Sequence, residues 1–434
     1  MPDIHPLWHT RRYTASLVAF ILFMLTVAIN GYIALWLSRH GVFDQYNVMF
    51  DADSNMRLSM ISNGWPNEGM THPLLHLLFS IPIRIIVNIT DFFFHVADPV
   101  ALRSQIGIFI VPVFNGIGTL LLFWTLGLIG LTLTSRLLVS TLGIVGFSSL
   151  IFGSLPEHFA ISGAMLYILY PLSLLLPNLN FPRSWSIWTG VGTALAGITI
   201  TNIVPFAVFS WLAQVATGRS LLKAGVRTLF LSVAVISITL GIAKAANTIF
   251  DIPDQSYAVT RYLRSSMDEV LSIVHAIPNA MASTVVASSP VAVKNELGVK
   301  NVDRYLFQFS TTGPIRLHAI INSLLVFSIF LLGVIRMASL ETRFRMLLWG
   351  SVLAILFSLG LVTAWGGNDP FLYSQCWRPF FMVIIAGTLL DKDKGIRTRW
   401  IIFTCLICYT TINNLLIIDE MRSVLLVSAV EGVR

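Results

Sequence analysis

Charged residues are scarce in this chain of 434 residues: they make up 11% of it, whereas hydrophobic residues make up 55%. Soluble globular proteins have roughly a quarter of their residues charged, so this composition excludes a soluble fold. The apolar residues form long continuous runs instead of the alternating pattern of outer-membrane barrel strands, so the spans are predicted to be helices. The expected fold class is therefore an all-α polytopic membrane protein.

Cysteine is also rare, with three in the chain, and two of them, Cys405 and Cys408, lie inside an apolar run. We therefore expect no disulfide framework. No repeat, low-complexity segment or linker marks off a second domain, so residues 1–434 are predicted to form a single integral membrane domain. This domain is expected to lie in the lipid bilayer. The net charge of +7 needs no nucleic acid, because basic residues flank the cytoplasmic ends of spans in any membrane protein.

Apolar runs long enough to approach the roughly 20 residues of a membrane span occur about eleven times. Several are short, so their boundaries are approximate. The predicted spans are 14–36, 107–131, 137–152, 159–176, 188–201, 204–216, 228–250, 317–335, 346–362, 380–390 and 400–418.

The topology depends on segment 73–89, which is apolar enough to span but contains His76, Pro82 and Arg84. If it spans, the short basic loops fall on the face opposite the N-terminus. If it is re-entrant or interfacial, they all lie inside with the N-terminus, as the positive-inside rule requires, and we adopt that interpretation. The loops concerned contain Arg136, Arg183 and the stretches 219–227, 336–345 and 392–399.

This topology places four loops on the outer face, which in a bacterial inner membrane is the periplasmic face. The loop 251–316 contains apolar residues at helical spacing over 257–275, which predicts a helix lying along the membrane surface. The four outer segments are 37–106, 153–158, 251–316 and 364–378.

The first outer loop carries two aspartates, Asp51 and Asp53, directly after the first span. Ionisable groups near the membrane are costly and usually functional. Two residues apart, these side chains face the same way on a strand and diverge on a helix. The simpler interpretation is that Asp51 caps a helix. Arg57 either pairs with one of the aspartates and keeps it ionised or lies beside lipid headgroups.

Short motifs in this loop resemble those of membrane glycosyltransferases. The sequence Phe-Asp-Ala-Asp-Ser-Asn-Met-Arg at 50–57 is similar to the F-D-x-x-x-N-x-R pattern of oligosaccharyltransferase catalytic subunits, and His72-Pro73-Leu74-Leu75 resembles the His-Pro-Pro-Leu of aminoarabinose-type transferases. With about eleven helices and a late Tyr/Arg cluster, the whole chain resembles the GT-C superfamily. It departs from the oligosaccharyltransferases in having no recognisable WWDYG block, and its size is similar to that of bacterial transferases that add one sugar to O-antigen or other envelope glycans.

The resemblance implies an inverting hexosyltransferase that moves a sugar from a polyprenyl-phosphate donor to a glycan acceptor. In such a reaction a carboxylate accepts the proton of the attacking hydroxyl, here Asp51 or Asp53. Cationic side chains hold the departing phosphate. The base has to stand at the boundary of water and lipid, because the isoprenoid tail of the donor cannot leave the bilayer.

Further site residues are expected on the other outer segments. Glu157 resembles the second acidic site of several GT-C families and lies beside His158, although a Pro-Glu first helical turn also explains it. Arg378 and Arg316 are the candidate phosphate ligands, and Tyr373 is either a site residue or an interface anchor. His72 is a candidate substrate contact. His72 and His76 form only a weak metal signal, so neither a metal nor another cofactor is expected.

Two other functions remain open from the sequence. An O-antigen polymerase or ligase would take a diphosphate-linked donor and depend on basic residues of the long loop, here Arg261, Arg264 and His275. A flippase or other transporter of lipid-linked sugars is the alternative outside the enzymes, but such proteins usually show inverted repeats or paired broken helices. The sugar, the acceptor and the linkage do not follow from the sequence.

Overall fold

The computed structural model describes most of the chain, and its helices account for nearly all of the described backbone. The residues described are 6–44, 48–50, 52–63, 72–176, 181–249, 266–288, 290–294, 305–308, 317–340, 342–364, 369–390 and 395–431.

Sixteen α-helices lie in these segments. They are α1 (Pro6–Arg39), α2 (Ser54–Asn63), α3 (Ile81–Phe94), α4 (Pro99–Leu128), α5 (Leu133–Val145), α6 (Phe147–Phe152), α7 (His158–Leu166), α8 (Leu169–Leu175), α9 (Phe181–Ile198), α10 (Ile203–Ala216), α11 (Leu221–Ile249), α12 (Met267–Ala282), α13 (Leu317–Ala338), α14 (Thr342–Ala364), α15 (Ser374–Ala386) and α16 (Ile396–Glu431). A small antiparallel sheet joins β1 (Val291–Lys294) to β2 (Tyr305–Gln308), with Val291 opposite Gln308.

Eight helical segments of the described chain are long and apolar enough to cross a membrane, and two shorter apolar helices, Leu133–Val145 and Ile200–Ala216, accompany them. The predicted all-α polytopic membrane protein is therefore confirmed. The count of eleven spans stays a prediction. The eight segments are Tyr13–Arg39, Leu77–Phe94, Pro99–Leu128, His158–Leu175, Leu221–Ile249, Ala319–Ala338, Phe344–Ala364 and Ile396–Leu426.

Helices α1 and α4 form the long antiparallel pair against which the first loop is built. The hydroxyl of Thr26 donates to that of Thr119 across 3.2 Å. A Cβ added at Gly31 would lie 3.0 Å from the ring of Phe109, so the end of α1 lies beside the first turns of α4. The first loop therefore begins at the same end of the pair as α4.

Helix α3 covers only the first half of α4. A π-helical turn, His76–Ser80, leads into α3, and its Phe79 ring lies 5.4 Å from the ring of Phe114, in the middle of α4. Four residues then join the end of α3 to Pro99, where α4 begins. Helix α3 thus starts beside the middle of α4 and returns to the end from which α4 starts.

The long loop before α13 contains a helix in the predicted region, and this helix extends further than the sequence suggests. Its helix α12 begins at Met267, capped by the hydroxyl of Ser266, which accepts from the Glu269 amide at 3.2 Å. Helix α12 is followed by buried, irregular backbone. The predicted helix over 257–275 is present in its described part, from Met267 onwards, and it continues past 275 to the buried Ala282; its position along a membrane surface stays a prediction, and residues 251–265 lie outside the described segments.

Asparagine side chains form hydrogen bonds with the backbone N–H and C=O groups of this irregular segment. The Asn414 side chain accepts from the Ala287 amide at 2.9 Å and donates to the Val285 carbonyl at 2.8 Å, and Asn322 donates to the Ala287 carbonyl at 2.9 Å. The Phe147 amide donates to the Val285 carbonyl at 3.1 Å, at the break between α5 and α6. Non-helical backbone is tolerated at membrane depth only when its polar groups are paired in this way.

Candidate functional site

The turn between α6 and α7 carries Glu157 into the interior. Helix α6 ends beside the middle of α4, where the Asn115 side chain donates to the Ser149 hydroxyl at 2.9 Å. A Cβ added at Gly153 would lie 2.4 Å from the side-chain nitrogens of both Asn115 and Asn30, so only glycine fits here. Glu157 then occupies the position before α7, yet its side chain makes no capping hydrogen bond. Capping therefore does not account for this carboxylate.

Glu157 lies against a cation and a histidine, and all three side chains are buried. Its Oε2 atom is 3.8 Å from Nε of Arg57 and 3.2 Å from Nδ1 of His158. Glu157 and His158 are each 1% exposed and Arg57 is 8% exposed. Arg57 also donates to the sulfur of Met60 at 3.4 Å, one turn further along α2. The structure thus joins two predicted site segments, the first loop and the 153–158 turn.

His72 completes the cluster from the segment that leads into α3. Its ring centroid lies 3.9 Å from that of His158, and its Nδ1 is 2.9 Å from the Ile198 carbonyl oxygen. A carbonyl only accepts, so His72 carries a proton on Nδ1 and its Nε2 is left to accept when the ring is neutral. The amide of Leu74 donates to the Gly197 carbonyl at 2.8 Å and fixes this segment on the end of α9.

Burial changes the acid–base behaviour of Glu157. Loss of solvent raises the pKa of Glu157 to about 7, against the opposing effects of the Arg57 charge and the backbone amides of Asp53 and His158. Near neutral pH the carboxyl group therefore exists in both protonation states. A group with such a pKa can take up and return a proton, as general acid–base catalysis requires.

Asp53 lies directly before α2, and its backbone carbonyl accepts from the Arg57 amide at 3.0 Å. Because α2 begins at Ser54, the capping position belongs to Asp53 and not to Asp51. The Asp53 side chain is half-buried. Asp51 and Arg316 lie outside the described residues, so their predicted roles stay predictions.

Tyr373 approaches the cluster through an aromatic neighbour. Its ring centroid lies 5.1 Å from that of Phe159, which lies 4.0 Å from the ring of His158. Phe159 was missed by sequence reasoning. An aromatic residue next to a candidate site histidine was the available signal, but Phe159 also read as the first residue of an apolar span.

Arg378 belongs to a second polar network inside the bundle. It is 4% exposed, and its guanidinium donates to the Asn115 side chain at 2.7 Å, the Ser149 hydroxyl at 3.0 Å, the Gln375 side chain at 3.1 Å and the Gly143 carbonyl at 3.1 Å. These neutral acceptors connect α15 to α4, α5 and α6. The predicted phosphate contact of Arg378 is untested, but the network gives the residue a structural role.

No group of three or more histidine, cysteine or acidic side chains suited to hold a metal ion occurs among the described residues. The side chains of Arg57, His72, Glu157 and His158 together form one buried cluster. We call it the Glu157 cluster.

No protein-family model matches the chain, and no curated protein matches it.

Proposed function

We propose that this protein is a glycosyltransferase of the bacterial inner membrane. It transfers a sugar from a polyprenyl phosphate such as undecaprenyl phosphate to a glycan acceptor, O-antigen or a similar envelope glycan, on the periplasmic face. The observation that carries the proposal is the Glu157 cluster, in which the first outer loop places Arg57 3.8 Å from a buried glutamate at the start of α7. The resemblance of segment 50–57 to GT-C motifs supplies the reaction class.

The reaction assigned to the site is an inverting transfer. The acceptor oxygen attacks the anomeric carbon, the bond from that carbon to the phosphate oxygen breaks, and a carboxylate takes the acceptor proton. Asp51 or Asp53 is the proposed base, because both follow the first span at the membrane boundary. General-base catalysis of this kind contributes about 100- to 10,000-fold in rate.

Glu157 and His158 are proposed to hold the acceptor or the donor sugar. A buried carboxyl group with a pKa of about 7 can accept or donate a hydrogen bond to a sugar hydroxyl. The ring nitrogens of His158 have no hydrogen-bond partner of adequate geometry in the described part of the chain. Buried polar atoms are normally paired, so these atoms fit contacts that a bound sugar completes.

The path of α3 supports the proposed topology. Since α3 starts opposite Phe114 and ends next to Pro99, the first outer loop dips beside α4 and returns to the same end of it. A re-entrant segment of this kind leaves the short basic loops inside, in agreement with the positive-inside rule. In this topology the Glu157 cluster lies towards the outer face, where a lipid-borne donor would reach it.

The direct test uses the purified protein in liposomes supplied with undecaprenyl-phosphate hexose and an O-antigen acceptor. We expect the acceptor to gain the mass of one hexose, with release of undecaprenyl phosphate. The Glu157→Gln variant, which has nearly the same shape but no carboxylate, should lose most of this activity. Transfer only from a diphosphate-linked donor would favour a polymerase or ligase, and donor movement across the bilayer without transfer would favour a transporter; either result contradicts the proposal.

A further inference from the structure

Phe50 combines full burial with an uncommon backbone conformation, directly before the aspartates. Its φ angle is 53°, in the left-handed region that residues other than glycine rarely adopt. The other described non-glycine residue with positive φ is His95, which ends α3, where left-handed residues are common. No such helix end explains Phe50. Conformations of this kind persist when the surroundings enforce them, and they cluster at functional sites.

Backbone pairing with the long outer loop enforces this conformation. The Phe50 amide donates to the Phe307 carbonyl at 2.8 Å, and the Phe307 amide donates to the Val48 carbonyl at 2.9 Å. The Ala52 amide then donates to the Met49 carbonyl at 3.0 Å and closes a turn. Strand β2 therefore holds the chain on the N-terminal side of the aspartates.

The side chain of Phe50 is held by three aromatic rings. It is 0% exposed, and its ring centroid lies 4.9 Å from Phe371, 5.9 Å from Phe147 and 6.3 Å from Phe152. All three contacts are edge-to-face, a geometry that aromatic pairs prefer. Phe147 and Phe152 belong to α6, and Phe371 precedes α15 in the 364–378 outer segment. With β2, which pairs with its backbone, and its own loop, four separate parts of the chain thus meet at this residue.

We propose that Phe50 is a positioning residue that fixes the turn closed by the Ala52 amide, and with it Asp53, relative to the Glu157 cluster. The turn is anchored on one side by the Phe50 ring and by β2, and on the other by Asp53, whose backbone amide faces the Glu157 carboxylate. This inference rests on the proposed function. It makes the long loop, through Phe307, a structural partner of the candidate base.

The test compares Phe50→Leu with Phe206→Leu as the matched control. Phe206 is also 0% exposed and packs edge-on against Trp188, at 5.5 Å, but it lies in α10 with helical backbone. A positioning role predicts that Phe50→Leu lowers kcat by roughly 10-fold or more with KM changed less than about 2-fold, since misplacement of a reacting group by 1 Å can cost about 100-fold. The control should keep wild-type kcat in its folded fraction.

A second measurement is independent of activity. A spin label at Asp53→Cys, in a background without Cys376, Cys405 and Cys408, reports how firmly the turn is held. We expect the label to become more mobile in Phe50→Leu and unchanged in Phe206→Leu. If Phe50→Leu does not fold, Phe371→Leu removes the nearest ring contact and should shift kcat and mobility in the same directions.

The positioning role requires both the lower kcat and the higher label mobility in Phe50→Leu. Unchanged label mobility, unchanged kcat, or an equal loss in Phe206→Leu would each overturn the positioning role. If wild-type protein transfers no sugar, the proposed function fails, and the label mobility alone then decides whether Phe50 holds the turn.

Discussion

The Nε atom of Arg57 lies 3.8 Å from Oε2 of Glu157, in a part of the protein where both side chains are almost fully buried. Removing one partner of a buried ion pair leaves an uncompensated charge, which costs about 3–5 kcal/mol. Here the glutamate can instead take up a proton, because its pKa is already raised to about 7. The contact between Arg57 and Glu157 is therefore expected to depend on pH, because the Glu157 carboxyl group gains or loses a proton near neutral pH.

The pH dependence of stability should reveal this centre. Because the pKa of Glu157 is raised from its ordinary value of 4.5 to about 7 on folding, the folded state binds more protons than the unfolded state between these values. The stability contribution is therefore present at low pH and is lost as the pH rises from about 4.5 to about 7. In detergent, the unfolding temperature of the wild type should fall as the pH rises through this range, and that of Glu157→Gln should lack this fall. Identical pH profiles for the wild type and the variant would contradict the burial of Glu157.

Gly153 should not tolerate a larger side chain. A Cβ there would lie 2.3 Å from the Ser149 carbonyl oxygen and 2.4 Å from Asn30 and Asn115. Overpacking of this kind typically costs about 1–3 kcal/mol, so Gly153→Ala should lower the unfolding temperature and reduce any transfer activity by displacing the Glu157 turn. Gly190→Ala is the matched control, since no heavy atom lies within 4 Å of its added Cβ. Equal unfolding temperatures would contradict the close packing of the turn.

Arg378→Ala should destabilise the bundle, because it leaves the Asn115 and Ser149 acceptors without their buried donor. Each such loss costs on the order of 1–3 kcal/mol. Arg378→Lys keeps the charge but loses the planar fork, so it should recover only part of the stability. Donor KM, measured on folded protein, tests the phosphate role separately: it should rise more in Arg378→Ala than in Arg378→Lys. An alanine variant with wild-type stability and KM would remove the residue from both roles.

The topology is tested by cysteine labels on two exposed connections. If α3 is re-entrant, Asp98→Cys at the α3–α4 connection should react from outside the cell, and Ser220→Cys before α11 only from the cytoplasm. A true span at Leu77–Phe94 would invert both results. Labelling in intact and permeabilised cells distinguishes the two arrangements.

The long helices and the membrane class could be predicted from the sequence because hydrophobicity alone determines them. Helices α1, α4 and α16 each contain most of one predicted apolar run, 14–36, 107–131 and 400–418 respectively. The sequence predicts Glu157 and the first loop on one face, but the 3.8 Å contact between Glu157 and Arg57 depends on how α2 and α7 each pack against α4.

Other features depend on long-range contacts that leave no local signal. The pairing of Ala287 with Asn322 and Asn414 joins helices distant in sequence, and each asparagine looks like an ordinary polar residue in an apolar run. The four hydrogen bonds of Arg378 could not be inferred from its position at the start of an apolar segment. Phe50 was noticed as part of a motif, but its left-handed conformation arises from its pairing with Phe307.

The central claim is that a carboxylate of the first loop acts as the base in sugar transfer, and paired asparagine variants test it most directly. Asparagine caps a helix about as well as aspartate but cannot accept the proton, so folding should be preserved. Transfer from undecaprenyl-phosphate hexose by purified Asp51→Asn and Asp53→Asn should fall by about 100- to 10,000-fold in the variant that lacks the base. Collapse in Asp53→Asn alone would assign the base to Asp53, and collapse in Asp51→Asn alone would assign it to Asp51. Near wild-type turnover in both variants, with both monodisperse, would contradict the mechanism.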